Sequence, residues 1–180
     1  MLGLPADDDD ALDILMGHIS PPKDGTIYFV EERDSVLFSK SFEVKGYLRY
    51  FADGSLEKVI ESPSRRILRL GPDRVSIESG AKRVESSISN YPVLAGLRAG
   101  IVGIVRRDSG ALSAVFEATI EEPADGWRVY LVPRDVTVRR SLPRLVLRGC
   151  GSDMTSVQLW LNEGTVEEMR FVPKETRDPR

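Results

Sequence analysis

The stretch of sequence that decides the fold is Phe42-Glu43-Val44-Lys45-Gly46-Tyr47-Leu48-Arg49-Tyr50-Phe51-Ala52-Asp53-Gly54. Side chains of a β-strand point alternately to opposite faces, so every second residue of this stretch shares a face. The face that begins at Phe42 and ends at Tyr50 carries Val44 and Leu48, and we expect it to turn inward. Asp53-Gly54 then predicts a type I′ hairpin turn, in which both central residues need a positive φ.

Strand-like alternation continues on both sides of this hairpin, with Gly, Pro and Asp between the runs. The predicted strands cover residues 26–38, 42–52, 56–61, 66–70, 74–78, 82–87, 115–121, 127–132, 144–149, 155–162 and 165–172. Glu163-Gly164 is the last predicted turn. Short strands in succession are typical of an antiparallel sheet, here of about ten to eleven strands.

Helical segments interrupt the strands. A first helix is predicted over 8–19, because the carboxylates of Asp7 to Asp10 complement the positive end of a helix and Pro21-Pro22 ends it. A second helix is predicted over 92–106, with a short turn near 110–114 and a loop or short helix over 135–142. The pattern predicts an α+β, mainly β fold as one domain over 1–180, with its core at about 8–173 and a mobile polar tail at 174–180.

Composition excludes several classes of function. The net charge of -3 gives no general attraction to phosphate backbones or anionic bilayers, so we expect no nucleic acid partner. No stretch is long and apolar enough to span a bilayer. The first six residues lack the basic segment and apolar run of a signal peptide. They fit either a cytosolic protein or a mature exported protein whose signal has been replaced by an initiator Met.

Residues with catalytic chemistry are sparse. His18 is the only histidine, and nothing in the sequence indicates a nucleophile beside it. We therefore interpret it as a helix-end residue. Cys150 is the only cysteine, and its default interpretation is a buried or half-buried structural thiol. The pairs Glu31-Glu32 and Glu121-Glu122 lie within strands, so the two carboxylates of each pair point to opposite faces. We predict no catalytic residue, no metal ligand and no cofactor, and a protein that is not an enzyme.

The second helix is the unusual element. Its apolar stripe consists of Leu94, Leu97, Ile101 and Ile104, and a second stripe consists of Gly96, Gly100 and Gly103. Each interior glycine costs about 1 kcal/mol relative to alanine, so the helix is intrinsically weak. Two compatible interpretations follow: a buried helix whose glycines permit close backbone approach, and a movable lid over a cavity.

Several strings resemble the LolA family of lipoprotein carriers, in particular its divergent LolA-like branch. The strings are Phe29-Val30-Glu31-Glu32-Arg33, Lys45-Gly46-Tyr47-Leu48-Arg49-Tyr50, Ile60-Glu61-Ser62-Pro63, Trp127-Arg128-Val129-Tyr130-Leu131-Val132-Pro133-Arg134-Asp135 and the closing hairpin at 157–172. Their order and spacing carry the resemblance, which covers residues 11–173.

The resemblance implies a half-open antiparallel barrel with an N-terminal helix and a central helix as a lid over an apolar cavity. It implies a monomeric periplasmic carrier, whose signal peptide has been removed, that takes a lipoprotein, glycolipid or polyene-like cargo from an inner-membrane exporter to an outer-membrane acceptor. The better-known carriers pin their lid with the arginine of an Arg-Pro pair. Here the corresponding residues are Phe51-Ala52-Asp53-Gly54, so that mechanism does not carry over.

The predicted cargo-binding residues lie on the two long strands, the central helix and the later strands. They are Phe29, Leu48, Tyr50, Leu94, Leu97, Ile101, Ile104, Phe116, Leu131 and Trp160.

Two other functions compete with a carrier. One is a non-catalytic envelope module that binds a protein partner at the sheet edge by strand addition, and it predicts a filled core without a ligand-sized cavity. The other is a hydrolase or transferase acting on lipid, which needs polar residues such as Glu31 or Arg33 to converge in the cavity. Arg33 is more simply interpreted as pairing with a neighbouring glutamate.

Overall fold

An eleven-stranded antiparallel sheet forms most of the molecule in the computed structural model, which describes residues 2–5, 7–20, 25–35, 40–162 and 165–173. The strands are β1 (Thr26–Ser35), β2 (Lys40–Tyr50), β3 (Leu56–Ser62), β4 (Arg66–Leu70), β5 (Arg74–Ser79), β6 (Lys82–Ser87), β7 (Phe116–Glu121), β8 (Trp127–Pro133), β9 (Arg144–Cys150), β10 (Asp153–Trp160) and β11 (Val166–Phe171).

The order of the strands in space is β6-β5-β4-β3-β2-β1-β11-β10-β9-β8-β7. The first and last strands therefore meet in the middle of the sheet, where Phe29 lies opposite Phe171. The end strands β6 and β7 do not pair with each other, so the sheet stays open. The predicted mainly β, half-open antiparallel architecture is confirmed.

In the described ranges, four α-helices accompany the sheet: α1 (Asp8–His18), α2 (Pro92–Arg106), α3 (Ser109–Val115) and α4 (Val136–Ser141). A short 3₁₀-helix (Ile88–Asn90) precedes α2. Asp7 caps α1 by accepting hydrogen bonds from the backbone N–H groups of Asp9 and Asp10, so the aspartate run starts a helix. The segments predicted as a turn near 110–114 and as a loop or short helix over 135–142 are α3 and α4.

The helices cover one half of the sheet. The main hydrophobic core joins the apolar face of α1 to α3, α4 and strands β7 to β10, with Trp127 and Phe116 among its largest fully buried side chains. Two smaller clusters lie in the other half, one around Phe29 and one around Leu56 and Leu70. Because α2 contributes to both halves, it bridges the covered and the open part of the sheet.

Three local predictions were wrong. A type I′ turn at Asp53-Gly54 would need a positive φ at both residues. Gly54 has a φ of 81°, but Asp53 does not have a positive φ, since Arg107 is the one described non-glycine residue that does. The hairpin is therefore not a type I′ turn. It is a three-residue loop in which Gly54 N–H donates to the Phe51 carbonyl. Phe42 was expected inside, but it is 41% exposed because it lies beyond the part of β2 that the core covers.

The third wrong prediction is the buried or half-buried thiol at Cys150, because this residue is exposed. It ends β9 at a tight turn whose next residue, Gly151, has a φ of 57°. The predicted helix end at Pro21-Pro22, the turn at Glu163-Gly164 and the tail 174–180 lie outside the described residues.

Candidate functional site: an apolar cavity beneath helix α2

Helix α2 buries its glycine stripe against the rest of the protein. A Cβ on Gly96 would lie 2.7 Å from Val138 of α4, and a Cβ on Gly103 would lie 2.7 Å from Leu112 of α3. At Gly100 it would lie 3.2 Å from side chains of β7 and β9. These distances are shorter than an ordinary carbon–carbon contact of about 3.5–4.0 Å. The glycines therefore set how closely α2 approaches its neighbours, as one of the two interpretations of the stripe expects.

The apolar stripe of α2 faces the open half of the sheet across a cavity of about 390 Å³. The helix contributes Val93, Leu94, Leu97, Ile101, Ile104 and Val105. Strands β1 to β5 contribute Ile27, Leu48, Leu56, Lys58, Ile60, Arg66, Ile67, Leu68, Leu70 and Ile77. The segment from β10 to β11 contributes Met154, Val157, Leu159, Leu161, Glu167, Met169 and Phe171. All but three of these described side chains are apolar, so the cavity is suited to hydrocarbon.

The three charged residues of the wall, Lys58, Arg66 and Glu167, leave the interior of the cavity apolar. Lys58 forms an ion pair with the buried carboxylate of Glu31, and its ammonium lies 4.9 Å from the ring centroid of Phe29. A buried cation costs much less when it is paired in this way. The other two, Arg66 and Glu167, are exposed residues. Charge is therefore available at the edge of the cavity, while its interior stays apolar.

The C-terminal half of α2 is fastened to the hairpin that joins β2 to β3. Arg106 donates hydrogen bonds to the Tyr50 hydroxyl and, over 3.2 Å, to the Ala52 carbonyl. Its guanidinium carbon also lies 5.6 Å from the Tyr50 ring centroid. The hairpin lacks an arginine, but an arginine from the helix reaches it.

Arg98, a second arginine of α2, lies against the same turn. A Cβ on Gly54 would lie 3.2 Å from Arg98 Nη2. The pKa of Asp53 is lowered, first by the backbone N–H of Ser55, then by the Ser55 hydroxyl, and to a smaller extent by the Arg98 guanidinium. Two cations of α2 therefore converge on one tight turn, and a movement of α2 away from the sheet would break both contacts.

The ten predicted cargo-binding residues fall into three groups. Five line the cavity: Leu48, Leu94, Leu97, Ile101 and Ile104. Three are fully buried in core clusters and do not line it: Phe29, Phe116 and Leu131. Two lie elsewhere: Tyr50 under Arg106, and Trp160, whose ring centroid lies 3.7 Å from the Arg144 guanidinium. Whether the first group binds cargo stays a prediction.

Sequence reasoning missed the part of the wall formed by β3, β4 and β11. Leu56 and Ile60 alternate along β3, and Leu68 and Leu70 alternate along β4, which is the signal of a half-buried face. That signal was available, but it does not distinguish a side chain that lines a cavity from one that fills a core.

No cluster suited to metal chemistry occurs in the described part of the chain, where no three His, Cys, Asp or Glu side chains lie close enough to hold an ion. His18 lies exposed in the last turn of α1. Across the ranges that the structure describes, the helices are too short or too polar to cross a membrane.

Comparison with known proteins gives the following likenesses. The chain is similar to the LolA superfamily protein NE2245 from Nitrosomonas europaea, with 10% identity, coverage of 93% of both chains and a TM-score of 0.48. It is also similar to a chain of the Pseudomonas aeruginosa MucA/MucB complex, with 10% identity and a TM-score of 0.44, covering 94% of this chain and 61% of that one. The sequence has no significant match among curated proteins.

Family membership follows from the sequence itself. The family described as "Outer membrane lipoprotein carrier protein LolA-like" matches residues 5–170, which is nearly the whole sequence. The resemblance drawn from the strand strings is thereby confirmed. The chain belongs to the LolA-like family of outer membrane lipoprotein carrier proteins.

Proposed function

We propose that this protein carries a lipidated or amphiphilic cargo and holds its hydrocarbon in the cavity beneath α2. The observation that carries the proposal is the composition of the wall, in which all but three of the described lining residues are apolar. Water gains few hydrogen bonds in such a space, whereas an acyl chain gains about 0.8 kcal/mol for each CH₂ that leaves water.

The size of the cavity suits a small number of chains. About 390 Å³ lies near the lower end of the range for ligand sites, which is about 300–1,000 Å³. We therefore expect one acyl chain, or a hydrocarbon of similar bulk, in the closed form. A larger cargo requires α2 to move outward, which would break the contacts of Arg106 with the β2–β3 hairpin.

The setting proposed for this activity is the periplasm. Membership of the LolA-like family supports delivery from an inner-membrane exporter to an outer-membrane acceptor. A lipoprotein, a glycolipid and a polyene-like lipid are all compatible with the apolar wall, because each offers a hydrocarbon segment and a polar head. The exposed Arg66 and Glu167 could face such a head at the cavity edge.

The test is a titration with a fluorescent fatty acid. Leu97→Asp places a charge on the cavity wall, and we expect it to weaken binding at least about tenfold, because a buried unpaired carboxylate costs more than 1.4 kcal/mol. The matched control is Ile14→Asp on α1, where the isoleucine is 52% exposed and outside the cavity. Leu97→Phe, which fills space without adding charge, should also weaken binding while the protein stays folded. Equal affinities in all four proteins would contradict the proposal.

A second candidate function rests on the open sheet edge. β6 ends the sheet, its residues are almost all exposed, and Val84 on it is 66% exposed. Val84 lies opposite Ile77, which is 50% exposed and belongs to the cavity wall. An extended segment of a partner protein could add to this edge as a further strand. This alternative predicts a filled core, so the cavity favours the carrier.

A further inference from the structure

A row of arginines crosses the sheet on the face opposite the α2 cavity. Arg128 of β8 lies directly opposite Arg148 of β9, and Arg148 lies opposite Ser156 of β10. Ser156 in turn lies opposite Arg170 of β11. The row is on the far face because Met169, which precedes Arg170 on its strand, points into the cavity. Like charges directly opposite one another destabilise a sheet, so this row calls for an explanation.

The row borders a groove of about 490 Å³ with polar and apolar walls. Its floor includes Ser156, which is buried and too short to fill the gap between the flanking arginines. The groove is separate from the α2 cavity, with which it shares only Phe171 among the described residues. Three cations therefore surround a space that the protein does not fill.

The hydrogen-bonding capacity of these arginines is largely unused. Arg148 donates from Nη2 to Gln158 over 3.3 Å, while its buried Nε has no partner among the residues the structure describes. Arg170 makes no ion pair or side-chain hydrogen bond within that part of the chain. Among the described residues, Arg128 pairs only with Asp125, over a long distance of 3.5 Å, and Asp125 is 77% exposed.

Two carboxylates, Asp125 and Glu168, also line the groove, so its formal charge is three positive against two negative groups. They do not neutralise the row in place, because no ion pair joins Glu168 to Arg148 or Arg170 in the described structure. A ligand with several oxygen acceptors could bridge the guanidinium groups of Arg148 and Arg170 across Ser156, and it would relieve their repulsion. A phosphate group fits this need better than a carboxylate, because it offers three acceptor oxygens instead of two.

We propose that this groove binds a phosphate group, with Arg148 and Arg170 as its principal ligands and Arg128 at its edge. The shared chemistry belongs both to the headgroup of an anionic phospholipid and to a soluble phosphate. The site does not depend on the proposed carrier function, since it lies on the other face of the sheet.

The experiment is a titration of the folded protein with inorganic phosphate at constant ionic strength, followed through the Nε–H resonances of the arginine side chains. We expect saturable shifts at Arg148 and Arg170. Arg170→Gln should weaken binding about tenfold or more, the usual effect of losing a hydrogen bond to a charged group. Glu168→Gln should strengthen binding, because it removes a competing negative charge. Arg83→Gln on β6 changes the net charge equally, and we expect it to leave binding unchanged.

Two further arms identify the source of the phosphate. Cosedimentation with phosphatidylglycerol vesicles, but not with phosphatidylcholine vesicles, and its loss in Arg170→Gln would identify a lipid headgroup. Binding of glycerol phosphate without vesicle binding would identify a soluble phosphate. Arg148→Lys keeps the charge and should still weaken binding, since lysine lacks the fork of donors. The proposal is overturned if folded wild-type protein gives no saturable shift, or if Arg170→Gln and Arg83→Gln respond alike.

Discussion

The glycine stripe of α2 gives a prediction whose sign depends on the structure. Gly103→Ala adds a methyl group whose Cβ would lie 2.7 Å from both Cγ and Cδ2 of Leu112, a residue that is 1% exposed. Helix propensity alone would stabilise the variant by about 1 kcal/mol. Overpacking a buried contact costs about 1–3 kcal/mol. We therefore expect a net loss of up to about 2 kcal/mol.

The same substitution at Gly17 is the matched control. Gly17 also lies in a helix, but nothing lies within 4 Å of a Cβ placed there. Gly17→Ala should gain about 0.5–1 kcal/mol, because only the entropy of the unfolded chain and the helix propensity change.

Urea unfolding followed by circular dichroism measures both variants. With a slope of about 1–3 kcal/mol per molar urea, we expect the midpoints of Gly103→Ala and Gly17→Ala to lie on opposite sides of the wild-type value. A Gly103→Ala protein as stable as Gly17→Ala would refute the reasoning, because it would mean that α2 is not held at the distance that its glycines set.

Two other predictions concern the fastening of α2 and the start of α4. Arg106→Gln removes the guanidinium contacts with Tyr50 and the hairpin. Exposed contacts of this kind contribute about 1 kcal/mol, so stopped-flow displacement should show fatty-acid release about fivefold faster. Arg107→Gln is the control, and its release rate should not differ from that of the wild type. Asp135 caps α4, and the backbone N–H groups of Val138 and Thr137 lower its pKa from 3.8. The stabilisation by the ionised cap is complete above pH 3.8 and lost as the pH falls through the lowered value. Asp135→Asn should therefore unfold in urea with less dependence on pH in that acidic range, and an unchanged dependence would contradict the assignment.

The periodicity of the sequence predicted much of the fold because local rules govern it. Alternation along residues 42–50 predicted β2, and the i, i+3, i+7 spacing from Leu94 to Ile101 predicted the apolar face of α2. Both rules depend only on the geometry of a strand or a helix. The resemblance to the LolA-like family then supplied the half-open arrangement, which no local rule contains.

The cavity wall was harder to predict, because it depends on which half of the sheet the helices cover. Phe116 and Leu131 have the apolar, alternating setting of Leu48, but α1, α3 and α4 cover their strands and fill the space above them. Leu48 lies in the other half, where the apolar stripe of α2 faces the strands across a cavity instead of filling the space. Alternation identifies the inward face of the strand for all three residues. Only tertiary packing distinguishes a side chain that fills a core from one that lines a cavity.

The arginine row illustrates a second limit. Arg128, Arg148 and Arg170 are widely separated in the sequence, so no local charge pattern indicates that they align. Their alignment depends on the register of four strands, and one of them, β9, is separated from the strand before it by helix α4.

The measurement that tests the central claim most directly is native mass spectrometry of the protein after export to a bacterial periplasm, followed by lipid extraction. We predict a co-purifying amphiphile of one hydrocarbon chain or similar bulk, absent from Leu97→Asp and retained by Ile14→Asp. A ligand-free mass for the wild-type protein, unchanged after addition of fatty acid, would contradict the account and favour a partner protein at the β6 edge.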